Sequence, residues 1–189
     1  MHQIVTLTMN PAVDKSATVK QVTSNVKLRA QDARRDPGGG GINVSRAVQR
    51  IGGESTAIYV SGGIEGQLLE KLLSGEDITQ VPVGIGQSVR ENLTIVEDST
   101  GEQYRFGMPG PQMTPGEIDE VVRTVKDRLR EKGYLVASGS LPPGVPPDFY
   151  ARLARVATEE GARIIVDTSG DALEQVVRVG LFLIKPNLH

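Results

Sequence analysis

Cysteine is absent from the 189-residue chain, and its only two histidines, His2 and His189, stand at the ends. Without cysteine there is no disulfide and no thiolate metal site, which fits a reducing, cytoplasmic compartment. Two terminal histidines close off a His-based triad and a His metal cage. A net charge of −2 is too small to mark nucleic acid or an acidic membrane surface as partner. No apolar run approaches bilayer length, and the opening Met1-His2-Gln3-Ile4 lacks the charged-then-apolar order of a signal segment. No Gly-Lys-Ser/Thr occurs, so a P-loop is out. Gly38-x-Gly40-x-x-Asn43 lacks the third glycine of a dinucleotide fingerprint, and no acidic residue ends the following strand at Val60-Ser61. There is no internal repeat. Hydrophobic content of 38% and charge of 23% describe an ordinary globular chain, long enough for one domain or a core with a small appendage.

What is abundant is glycine in one place. Gly38 to Gly41 abut Ile42-Asn43-Val44-Ser45-Arg46-Ala47-Val48, where Val44, Ala47, Val48 and Ile51 recur at helical spacing. Gly52-Gly53 supplies a left-handed cap. Glycines ahead of a helix N-terminus let backbone N–H groups approach an anion or a hydroxyl. The competing reading is a flexible linker, but linkers are usually Gly/Ser repeats, and this is a single run against a capped helix.

Along the chain, short β-rich runs alternate with helical stretches. Strands are expected at Gln3 to Met9, Thr56 to Val60, Tyr134 to Ala137, Arg163 to Val166 and Phe182 to Ile184. A turn, Asn10-Pro11-Ala12-Val13-Asp14, follows the first. Helices are expected at Gly66 to Leu73, from the capping box Thr114-Pro115-Gly116-Glu117 to Gly133, and over Pro147 to Glu160 with Gly161 as cap. The second of these carries Ile118, Val121, Val122, Val125 and Leu129 on one face. This rhythm predicts an α/β fold, a mostly parallel sheet with helices on both faces. Ser16 to Arg34 and Val89 to Phe106 break it, with a hairpin turn at Asp98-Ser99-Thr100-Gly101. These insertions, near 15–36 and 87–107, are expected to pair as a small second sheet, a lid or a dimer surface.

Ligands of open parallel sheets bind at the carboxyl ends of the strands. There the sequence places Asp14, then Ser138-Gly139-Ser140-Leu141-Pro142-Pro143-Gly144, then Asp167-Thr168-Ser169-Gly170, then Lys185-Pro186-Asn187. Carboxylate, amide and hydroxyls suit a polyol; a Lys–Asn pair suits phosphate. Each has a blander reading. Asp14 caps a turn, Asn43 bonds a helix start, and Arg90 and Arg105 are more often solvated charges.

These motifs, in this order and spacing, resemble the ribokinase-like carbohydrate kinases, phosphofructokinase B branch. The motifs are Thr6 to Asp14, the Gly-run helix, Ser138 to Gly144, Asp167 to Leu173 and Lys185-Pro186-Asn187. Gly38-Gly39-Gly40-Gly41-Ile42-Asn43, Gly101 to Phe106 and Met108-Pro109-Gly110 are similar to the minor 6-phosphofructokinase type. The resemblance implies a single ribokinase-like domain over 1–189, incomplete, with a β lid through which subunits dimerise. It implies ATP- and Mg-dependent phosphorylation of fructose 6-phosphate at its 1-hydroxyl. Asp14, Gly39 and Asn43 would hold sugar hydroxyls; Arg90, Arg105 and Ser138 would fix the phosphate end. Lys27 would approach nucleotide phosphates or reach across the dimer, and Lys185 and Asn187 would lie beside the nucleotide phosphates.

Family members continue past Lys-Pro-Asn with a glutamate that organises Mg, the adenine pocket, and a Gly-Ala-Gly-Asp motif bearing the base. Ser169-Gly170-Asp171-Ala172 does not replace it, lacking the preceding Gly-Ala. No catalytic base or metal ligand is therefore assigned within these residues, and losing a base costs roughly 10²–10⁴-fold in rate. The chain is expected to transfer little phosphate alone and to self-associate through uncovered apolar faces. Two other readings stand beside the kinase: a non-catalytic sugar-phosphate binding module, and a kinase for fructose 1-phosphate, tagatose 6-phosphate or a nucleoside.

Overall fold

A computed structural model describes residues 3–186. Among them six strands form one sheet, ordered β10-β9-β8-β1-β4-β5, every neighbouring pair parallel. The strands are β1 (Ile4–Thr8), β4 (Thr56–Ser61), β5 (Thr79–Gly84), β8 (Tyr134–Ser138), β9 (Arg163–Asp167) and β10 (Leu183–Ile184). The expected α/β class is what forms.

Alternation along β1 sorts its two faces. Val5, Leu7 and Met9 join Ile58, Val60, Leu135 and Val166 in a core shared with α3 (Pro115–Arg128) and α4 (Phe149–Glu159). Thr6 and Thr8 point to the other face, under α1 (Gly40–Arg50), while Tyr59 there packs with Leu69 and Leu73 of α2 (Gly63–Ser74). Two threonines are tolerated inside because both are bonded. Thr6 Oγ1 meets Ser45 Oγ at 2.8 Å, and Thr8 Oγ1 accepts from the Ile42 amide at 2.9 Å.

That packing corrects the expected stripe of α1. Gly41, Ile42 and Ser45 are its buried residues, Val44 and Val48 are half-buried, Ala47 is exposed, and Ile51 is 85% exposed. Periodicity marks the apolar positions, but close approach to β1 demands small ones: a side chain at Gly41 would collide with the Leu7 carbonyl. Gly52, at φ +79°, caps the helix end as expected.

α3 opens with the expected capping box, Thr114 and Glu117 bonding reciprocally, and buries Ile118, Val121, Val122 and Val125. It ends at Arg128 with Leu129 extended, four residues before Gly133, which instead bonds the Arg130 carbonyl. α2 begins at Gly63 rather than Gly66, and α4 at Phe149 rather than Pro147. Strand β5 and the short helix α5 (Gly170–Val176) are additions to the expected elements.

The two insertions do pair. β2 (Ala12–Val19), β3 (Gln31–Gly38), β6 (Arg90–Glu97) and β7 (Gln103–Phe106) form a second sheet in the order β3-β2-β6-β7. Its central pair β2/β6 is parallel and its outer pairs antiparallel. The hairpin turn falls at Asp98–Gly101, where the Gly101 amide reaches the Glu97 carbonyl at 2.8 Å. Asp14 lies inside β2, not in a turn: the chain bends only at Met9 and Asn10 and is extended again from Ala12.

Candidate functional site

Register decides which side chains of the second sheet face together. Ala12 opposes Gly38 and Arg90; Asp14 opposes Asp36 and Asn92; Ser16 opposes Arg34 and Thr94; Thr94 opposes Arg105. Arg90, Asn92 and Arg105 thus share a face with Asp14. Part of that face looks onto α1 across a cleft of ≈ 590 Å³ whose lining includes Asp14, Arg34, Asn43, Arg46, Arg50 and Thr94; Arg90, Asn92 and Arg105 stand outside this lining.

Beside the cleft, the glycines allow the backbone to pass close to Asp14, Thr8 and Ser138. Gly39 sits at φ +133°, and a side chain there would strike Thr8. Side chains at Gly38 and Gly40 would strike the Asp14 carboxylate and Ser138 respectively. The run is therefore a crossing point where backbone meets the Asp14 and Ser138 side chains, not a linker. Asn43 lies one turn into α1, exposed, with its amide bonded to the Gly39 carbonyl at 2.9 Å.

Asp14 Oδ1 accepts from Asn92 Nδ2 at 2.9 Å. Arg90 is partly buried at the start of β6. Its Nη1 donates to the Met108 carbonyl and its Nη2 to the Asn10 carbonyl, both at 3.2 Å, while its buried Nε has no partner. Burial lowers the pKa of Arg90 from its ordinary value, and the Asp14 carboxylate opposes that shift. A partly desolvated guanidinium with a spare donor is poised to take an anion.

Ser138 is the last residue of β8, and its hydroxyl donates to Asp167 Oδ2 at 2.9 Å. Asp167 Oδ1 pairs with Lys185 Nζ at 3.2 Å, so the ends of β8 and β9 are linked to the residue just after β10. Gly139, at φ +118°, turns its carbonyl to accept from both Tyr150 Oη and Thr168 Oγ1.

Not every expected residue converges. Arg105 is exposed, bonded to Gln103 Oε1, and stands two rows, about 13 Å along the strands, from Arg90. Lys27 lies in the exposed loop between β2 and β3, outside the cleft lining. Asn187 falls outside the described residues. Asn92 and Asn10 were not singled out from sequence; stepping two residues along β6 from Arg90 would have found Asn92.

The architecture is a parallel α/β sheet with a glycine-run helix and a second, four-stranded sheet beside one cleft. The sequence pattern of the pfkB family of carbohydrate kinases matches residues 5–189, and the chain belongs to that family. It is 41% identical over 187 residues to the ATP-dependent 6-phosphofructokinase isozyme 2 of Mycobacterium tuberculosis H37Rv, covering 99% of this chain and 55% of that protein. To the isozyme 2 of Escherichia coli K12 it is 39% identical over 188 residues, covering 99% and 60%. The crystal structure of phosphofructokinase-2 from Escherichia coli in complex with fructose-6-phosphate matches with a TM-score of 0.94 at 39% identity, over 98% of this chain and 61% of that one. The chain thus spans 55% to 60% of the length of these curated relatives.

Proposed function

We propose that these residues form the acceptor-binding part of an ATP- and Mg-dependent 6-phosphofructokinase, which phosphorylates the 1-hydroxyl of fructose 6-phosphate to give fructose 1,6-bisphosphate. The observation that carries this reading is the register of the second sheet, which turns Arg90, Asn92 and Arg105 to the same face as Asp14, itself across a cleft from Asn43. In this reading Asp14, Asn43 and the Gly39 backbone hold the sugar hydroxyls. Arg90 takes the sugar's phosphate, with Arg105 reaching from the outer row and Ser138 bordering the site through Gly40. Lys185 and Asn187 serve the nucleotide phosphates; the cation at Lys185 suits an anionic partner. Among the described residues no group of three or more His, Cys, Asp or Glu could hold a metal ion; magnesium commonly rides on one or two carboxylates and the nucleotide's own phosphates.

Two copies associate through the lid in the same reading. Val26, Leu28, Phe106 and Met108 are exposed apolar side chains of the lid and its flanks, and Lys27 between the first two would be carried to a partner's site. Among the described residues no helix is long and apolar enough to cross a membrane, and a cytoplasmic location is part of the proposal.

Calorimetric titration with fructose 6-phosphate, fructose 1-phosphate, tagatose 6-phosphate and fructose, beside a coupled assay for ADP release, tests this. Fructose 6-phosphate should bind best, and Arg90→Ala should weaken it about 100-fold or more by removing a charge-assisted anchor. Equal binding of fructose and its 6-phosphate refutes the proposal, while binding without turnover favours a non-catalytic sugar-phosphate module.

A further inference from the structure

We infer that Asn92 is a positioning residue: it sets the orientation of the Asp14 carboxylate and couples it to the backbone of Met108. This rests on the acceptor-site reading above. The amide of Asn92 bridges two partners of opposite kind, since Nδ2 donates to Asp14 Oδ1 at 2.9 Å and Oδ1 accepts from the Met108 amide at 3.3 Å. Only one orientation satisfies both, because the flipped amide would face oxygen with oxygen and N–H with N–H. Met108 therefore fixes Asn92, and Asn92 fixes Asp14.

The other Asp14 oxygen lies against Gly38, where any side chain would collide with it. The carboxylate is thus held on two sides, and its remaining lone pairs are left to accept from a ligand's hydroxyls. The same segment is gripped twice, since Arg90 Nη1 donates to the Met108 carbonyl. One side chain of β6 so serves the hydroxyl-binding group, and its neighbour two residues earlier serves the anion, both reading a single exposed residue outside the sheet. Asn92 acts on the sugar, not on the phosphate.

Asn92→Asp keeps shape and keeps the acceptor for the Met108 amide, but loses the donor to Asp14. The charged groups around this pair are Asp36, opposite Asp14 in register and paired with Arg34; Lys15 and Glu91, paired at 3.2 Å; Arg90; and, across the cleft on α1, Arg46 and Arg50. Wild type and N92D are titrated with fructose 6-phosphate and with inorganic phosphate between pH 5 and 8, with melting temperatures in parallel. At pH 8 N92D should bind the sugar phosphate more weakly by about 10-fold or more, while inorganic phosphate, which meets only the repulsion of the new carboxylate near Arg90, should lose clearly less. Relative to wild type it should recover as pH falls, because a protonated carboxyl donates again. Equal losses for both ligands, or no loss, overturn the inference. Should wild type take up no sugar phosphate, the acceptor-site reading fails by itself. A thermal double-mutant cycle of D14A and N92A in ligand-free protein then decides the coupling. A roughly fivefold or larger interaction in the folding constant sustains it, and additive single effects overturn it.

Discussion

The six-stranded sheet and the four-stranded lid are built from the same backbone bonds yet bury very different side chains. In the first, Val5, Leu7, Ile58, Leu135 and Val166 are wholly buried between helices. In the second, β3 is exposed for five of its eight residues and β7 for three of its four. Yet Asp14, Arg90, Asn92 and Arg105 all belong to the lid. Buried apolar side chains are concentrated in one sheet, and four side chains of the proposed site lie in the other, as suits a recognition element that must stay adjustable. The two meet at the glycine run, where a crowded backbone crossing joins β3 to α1.

The largest effect should come at that junction. Gly41→Val would drive a side chain into the Leu7 carbonyl and Thr8 Oγ1 and should destabilise by at least ~3 kcal/mol, measured by urea titration. A mild effect would mean the junction is looser than its geometry. Leu7→Ala, in the wholly buried core, should cost about 2–5 kcal/mol. Phe106→Ala, on a lid residue 49% exposed, should cost under ~1 kcal/mol in dilute protein while reducing self-association in light scattering. If the two costs match, the division between sheets fails. Thr114→Ala removes one half of the α3 capping box and should lower stability by about 1 kcal/mol without changing ligand affinity.

The smallest effect is electrostatic and confined to the lid. Glu97 accepts from Ser99 Oγ, the Val22 amide and Tyr104 Oη. Hydrogen bonding from Ser99 and then Val22 holds its carboxyl below the usual carboxylate value. A folded pKa below the unfolded one gives stabilisation that is complete above the unfolded value, about 4.3. It is lost as pH falls through the folded value. Amide protection near Val22 and Gly101, corrected for the slower intrinsic exchange at low pH, should therefore fall on acidification before protection in β8 does. Simultaneous opening would show that lid and core unfold as one unit.

Much of this was legible in the chain because its signals are local. The alternation of β1, the Thr114–Glu117 box and the Asp98–Gly101 turn each depend on residues a few positions apart, and each forms as read. The α1 stripe misled because hydrophobic spacing cannot report that β1 approaches so closely that Gly41 meets Leu7 and Ser45 meets Thr6. β5 was missed since Thr79–Gly84 contains Pro82 and ends in glycine, weak strand chemistry that pairing with β4 overrides. Asn92 escaped because its meaning lies in its partners, one on β2 and one beyond β7.

The chain's own residues determined the α/β class, the placement of glycines before α1, and the presence of two β insertions, since these follow from periodicity and backbone freedom over short spans. Only the tertiary structure decided the rest: which face of the second sheet meets α1, that Asp14 sits opposite Asn92, and that Arg90 reaches back to the Asn10 carbonyl. Those relations join segments roughly 80 residues apart, and register between such segments is fixed by packing, which no local pattern encodes.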